Sequence, residues 1–131
     1  MAYFNKNAEL KNGYNAYIDM AKDDMGTQMD VGLLLMEAGD TYTIEEAEKE
    51  TAVLLFSGTV TYQWGDQTCE ADRPDCFHHE AFCLLAPRKT KIVLTAHAHS
   101  ELYIQKTVND TDYQAVMYPP ETVQIQHAGC N

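Results

Sequence analysis

His97 and His99 stand one residue apart, the arrangement in this chain that comes nearest to a metal chelate. On a strand the two-residue period would aim both imidazoles at one face, with the Glu101 carboxylate following, a donor set suited to a divalent transition metal. The stretch falls between apolar runs around Ile92 and Leu102, however, where Ala98, Ser100 and their neighbours favour a turn. A solvated loop is therefore expected there rather than a metal centre. His78 and His79 are adjacent, so on a strand they would face opposite ways and only one would line a pocket. Cys69, Cys76, Cys83 and Cys130 include no C-x-x-C pair, and a 131-residue chain needs no disulfide staple, so free, half-buried thiols are expected. No Ser, Cys, His and Asp spacing singles out a nucleophile with its base.

The elements that would position such groups are short and apolar. Val53-Leu54-Leu55-Phe56 is a continuous run closed by Ser57-Gly58, which predicts a strand buried on both faces and then a turn. Thr59–Trp64 alternates β-branched and aromatic residues up to a second turn at Gly65-Asp66. Similar runs occur at Tyr14–Met20, Val31–Met36, Thr68–Ala71, Phe82–Ala86, Lys91–Thr95 and Glu101–Gln105, with turn residues between them. Strands at roughly ten-residue spacing predict an all-β barrel or sandwich of about eight to ten strands. Glu45–Glu50 is acidic and lacks an apolar stripe, so a bend is expected rather than a helix. The expected layout is a single domain: a strand and loop lead-in over 1–30, a β-barrel over 31–118, and an extended tail over 119–131 marked by Pro119-Pro120.

Composition limits the partners. Nine Lys and Arg against 20 Asp and Glu leave a net charge of −11, which opposes nucleic-acid binding and demands a local positive pocket for any anionic metabolite. No apolar run approaches the ~20 residues of a membrane span. The first residues lack the apolar centre of a signal peptide, so a cytoplasmic protein is expected.

The stretch from Gly39 to Gly58 resembles the first motif of the cupin superfamily, small double-stranded β-barrels of jelly-roll type. In that motif a glycine precedes a His-x-His pair, a glutamate and a closing glycine. Aligned on Gly39 and Gly58, the histidine positions fall on Glu45 and Ala47 and the carboxylate position on Thr51. A one-residue slip would substitute Glu50 for Thr51 without supplying a histidine. The second cupin motif is anchored by Pro87, with Lys89 at its glycine and Ile92 at its histidine. If Thr51 and Ile92 face the lumen, so do Val53, Leu55 and Leu94, and the lumen is greasy where a metal would sit. No metal and no catalytic residue are expected in this chain. Glu45, Thr51 and Glu80 are its candidate pocket residues.

A narrower resemblance runs from Val31 to Glu121. It is carried by Arg73-Pro74-Asp75-Cys76-Phe77, Ala81–Pro87, Glu101–Asn109 and Met117-Tyr118-Pro119-Pro120-Glu121. These blocks are similar to the N-terminal lobe of the 5-deoxyglucuronate isomerase family of myo-inositol catabolism, relatives of the uronate isomerases of pectin breakdown. The resemblance implies a two-lobed protein that interconverts an aldehyde sugar acid and its keto isomer, with the divalent metal held by a second lobe. It further implies a packing partner, either that second lobe or a second copy in a homodimer, and a sugar acid as ligand. The other reading is a free-standing cupin that binds or senses a small sugar or carboxylate.

Overall fold

The computed structural model describes residues 9–22 and 26–122. Nine antiparallel strands are present among them: β1 (Gly13–Ile18), β2 (Asp30–Met36), β3 (Thr41–Glu45), β4 (Lys49–Trp64), β5 (Gln67–Arg73), β6 (Cys83–Ala86), β7 (Lys91–Ala96), β8 (Ser100–Val108) and β9 (Val116–Tyr118). One sheet portion runs β1-β2-β8-β4-β6-β9, and the second joins β3 to β7, β7 to β4, and β4 to β5. The 16-residue β4 belongs to both. Its first half pairs with β6 and β8, its second half with β5 and β7, so one strand bends the sheet over into the cupin-like barrel that the sequence predicts. No helix is long and apolar enough to cross a membrane among the described residues.

Ser57-Gly58 is thus not a turn. The β4–β8 register shifts between Leu55 and Ser57, and Gly58 at φ +117° carries the strand from one sheet portion to the other. A bulge adds one residue and increases local twist, which is what a strand needs to change sheets. Val53–Phe56 also alternates where burial on both faces was predicted: Val53 and Leu55 are buried, Leu54 and Phe56 only half so. Phe56 instead stacks on Tyr103 of β8 at 5.9 Å between ring centroids, so the outer face is covered by a cross-strand aromatic pair.

The period-two pattern sorts each strand. Thr51, Val53, Leu55, Val60 and Tyr62 from β4 meet Leu34 and Met36 from β2, Ile92 and Leu94 from β7, and Leu102 and Ile104 from β8 in one core. Burying each large side chain contributes about 1.5–3 kcal/mol, so this interior supplies the main stabilisation of the barrel.

Two further features of the chain path depart from the sequence reading. His78 and His79 lie in a turn of the β5–β6 loop, both beside Asp75, and not on a strand. The tail over 119–131 is not extended at its start, because Pro120–Thr122 forms a 3-10 turn in which the Thr122 N–H donates to the Pro119 carbonyl; residues 123–131 lie outside the described residues. The lead-in contains a strand in the region expected for one, and β1 pairs with β2 along most of its length. Cys69 and Cys83 are free and half-buried, Cys76 is free but exposed in the β5–β6 loop rather than buried or half-buried, and Cys130 lies outside the described residues.

Candidate functional site

Charged side chains gather at one end of the barrel, where the inward phases of three strands run past the core. On β8 the phase that buries Leu102 and Ile104 next presents Lys106, and on β4 the phase of Val53 and Thr51 next presents Lys49. On β2 the same phase brings Gly32 and Asp30 to the mouth. Thr51 and Asp30 are both register partners of Lys106, which joins the three strands at that level. Lys49 Nζ donates to Asp30 Oδ2 at 2.7 Å, and Lys106 Nζ donates to Glu46 Oε2 at 2.6 Å. The Met20 N–H donates to Asp30 Oδ1 at 2.8 Å.

Two tyrosines close the opening. Tyr14 from β1 and Tyr42 from β3 are half-buried and stacked, with ring centroids 6.5 Å apart and planes at 23°. Gly32 makes this possible, because a Cβ there would strike the Tyr14 ring. A cavity of about 240 Å³ remains, lined by Tyr14, Ala16, Ile18, Asp30, Tyr42 and Lys106, with Asp19 at its edge. Burial, then the Asp30 carboxylate and Tyr42, push the Tyr14 phenol up to about 12. Burial also raises Tyr42, with Glu46 adding to the effect. Both rings are therefore neutral donors at physiological pH. Burial acts to raise Asp30, but the hydrogen bonds from Lys49 and the Met20 N–H outweigh it and hold the carboxyl below its ordinary range.

Asp30 accordingly stabilises the fold when ionised. A depressed folded pKa gives stability that is present above the unfolded value of 3.8 and lost as pH falls through the folded value. Asp30→Asn should cost about 1–2 kcal/mol at pH 7 in urea denaturation, the range for a hydrogen-bonded charged group that is partly exposed. The gap from wild type should close progressively as pH falls below 3.8.

The residues predicted from sequence do not converge on this mouth. Glu45 is exposed on the outward phase of β3, opposite Lys91. Glu80 is exposed in the β5–β6 loop, and Thr51 is 3% exposed within the apolar lining. Glu50 takes the outward phase, accepting from Tyr113 Oη at 2.7 Å and Asn109 Nδ2 at 3.0 Å. Ala47 sits exposed in the β3–β4 turn, and Ile92 is buried. The four cupin ligand positions thus offer one outward carboxylate, one hydroxyl among hydrocarbon side chains and two groups without donors. That set does not fit a divalent ion. No cluster of three His, Cys, Asp or Glu side chains able to hold one occurs among the described residues.

His97 and His99 lie in the loop expected for them, and their rings part company. His97 Nε2 meets Thr61 Oγ1 at 2.6 Å, whereas His99 Nδ1 meets Glu37 Oε1 at 2.8 Å. The hydrogen bond to Glu37 raises the His99 imidazole above its ordinary value.

The mouth residues Asp30, Lys49 and Lys106 carry a signal that the sequence reading passed over. Each is a charged residue on the inward phase of an otherwise apolar strand, where a solvated charge has no place unless it is paired.

The KduI/IolB family model matches residues 3–131 of this chain. The fold is similar to that of an IolB-like protein from Salmonella typhimurium LT2, with a TM-score of 0.83 at 19% identity, covering 93% of this chain and 47% of that one. It is also similar to a cupin superfamily protein from Desulfitobacterium hafniense DCB-2, with a TM-score of 0.54 at 16% identity over 79% of this chain and 84% of that one. The cupin domain of Schizosaccharomyces pombe Cnp3 matches with a TM-score of 0.54 at 10% identity, over 73% of this chain and 64% of that one. No curated protein sequence matches. The chain spans about half the length of the IolB-like protein. With the family model matched along nearly its whole length and a barrel closed in the same way, the chain belongs to the KduI/IolB family.

Proposed function

We propose that this chain is the metal-free lobe of a sugar-acid isomerase of the KduI/IolB type, a packing partner rather than the seat of catalysis. The observation that carries this reading is the lumen. Where a metal-bearing cupin gathers its ligands, this barrel packs Thr51, Val53, Leu55, Ile92 and Leu94 against one another. Aldose–ketose isomerisation needs a polarised carbonyl and a positioned acid–base pair. Those requirements fall to a partner lobe, and the length relation to the IolB-like protein leaves room for one of similar size.

The packing surface has an open edge. Among the described residues, β9 pairs only with β6, and it exposes Val116 and Tyr118 at the margin of the larger sheet portion. An unpaired edge with exposed apolar side chains invites another strand or a second lobe. In the absence of a second lobe, two copies would pair along it as a homodimer. Sedimentation at micromolar concentration should then show a dimer, and Tyr118→Lys with Val116→Lys should dissociate it without loss of fold. A monomer at all concentrations would count against the packing role.

A further inference from the structure

We propose that the cavity between Tyr14, Tyr42, Asp30 and Lys106 binds a small neutral polyhydroxylated ring, a monosaccharide or cyclitol. This goes beyond the packing role and does not rest on it.

Hydrogen-bonding capacity is the first reason. The Tyr14 and Tyr42 hydroxyls have no hydrogen-bond partner among the described residues, yet both rings are half-buried at the cavity wall. Lys106 uses one of its three donors on Glu46, which leaves two. Asp30 accepts one hydrogen bond on each oxygen and retains a free lone pair on each. Acceptor and donor thus stand on neighbouring strands, as register partners, an arrangement that serves two adjacent hydroxyls of one ligand.

The aromatic pair supplies the second reason. The face of a phenol ring is electron-rich and apolar, and the C–H face of a saturated sugar ring is its complement. Tyr14 is folded over the mouth because Gly32 presents no side chain beneath it. A glycine within a strand weakens the strand, and its use here is a close approach of the kind a binding wall needs.

Charge decides between a neutral ring and an acid. Lys49 and Lys106 are each neutralised by a carboxylate, Asp30 and Glu46, and Asp19 adds a further negative charge at the cavity edge. An incoming carboxylate would meet that local excess within a chain of net charge −11. The pocket is open to solvent, and its volume of about 240 Å³, below the roughly 300–1,000 Å³ of sites for drug-sized molecules, suits contact with a single ring.

The test is a titration of the ¹⁵N-labelled full chain, followed by amide shifts, with glucose, with myo-inositol and with glucuronate as probes at pH 7. The expected result is saturable shifts at Gly32, Tyr42 and Lys106 with at least one neutral probe, and weaker binding of glucuronate. Tyr14→Phe and Tyr42→Phe remove only the hydroxyls and preserve the apolar rings, so both variants should fold. Each should weaken neutral binding roughly three- to tenfold, the range of one hydrogen bond. The absence of saturable shifts with both neutral probes would overturn the proposal. So would tighter binding of glucuronate, or neutral affinity unchanged in both variants.

Discussion

Gly58→Ala is expected to destabilise the barrel by about 3–5 kcal/mol and to lower Tm by more than about 10 °C, the largest effect of an alanine at any of the described glycines. Two penalties combine. At φ +117° an L-residue is strained whatever its surroundings. The added Cβ would also fall within 2.6 Å of the Ser100 Cα, which is backbone and cannot swing aside. Ser100 is itself pinned, because its Oγ accepts the Thr59 N–H at 3.1 Å and donates to the Ala98 carbonyl at 2.9 Å. Gly39→Ala is the control. Gly39 has φ +92° but open space around it, so it bears strain without collision and should cost only about 1–2 kcal/mol. Thermal denaturation of the two variants side by side measures the collision alone, and equal losses would show that the sheet crossover at Gly58 is not tight.

Arg73→Leu should cost about 3 kcal/mol and expose the β5–β6 loop to proteolysis. Arg73 is 8% exposed and is held by carbonyls: Nη1 donates to Leu55 O at 2.6 Å, Nε to His79 O at 3.0 Å, and Nη2 to His79 O at 2.9 Å. One guanidinium therefore fastens the loop to the β4 bulge, where Leu55 departs from the regular register. Removing it leaves a buried carbonyl unsatisfied, at about 1–3 kcal/mol, in addition to the lost charged hydrogen bonds. Arg73→Lys should recover little, since one ammonium cannot reproduce the planar fork that spans both segments. Limited proteolysis should then cut near Phe77, which is 87% exposed in the same loop. Wild-type resistance in Arg73→Leu would contradict this role.

Much of the fold was legible because strand-forming runs and their punctuation are local. Gly39, Gly58 and Gly65 each adopt positive φ, as bracketing glycines should. Pro87 and the following residues formed the expected second frame, and Lys89 keeps the left-handed backbone, at φ 67°, of the glycine it replaces. The role of Gly58 was misread because composition cannot separate a turn from a bulge: both want glycine, and only long-range pairing of β4 with four other strands tells them apart. Lumen parity was also readable, since Thr51, Val53, Leu55, Ile92 and Leu94 are buried together as the two-residue period requires.

The candidate site was not legible. The cupin frame fixes Glu45, Ala47 and Thr51, whereas the polar mouth is assembled from β1, β2, β3, β4 and β8. Tyr14 and Lys106 are distant in sequence, and they meet only because β1 and β8 flank β2 on opposite sides. Glu80, a candidate pocket residue by sequence, is placed in solvent by the β5–β6 loop.

On the proposed packing role, this chain should hold no catalytic metal. Elemental analysis of purified, untagged full chain, dialysed after exposure to zinc, manganese or iron, tests it most directly. It should be paired with an isomerase assay on 5-deoxyglucuronate. Metal far below one ion per chain and no turnover are expected. Near-stoichiometric metal that survives dialysis, with turnover lost in His97→Ala and His99→Ala, would contradict it.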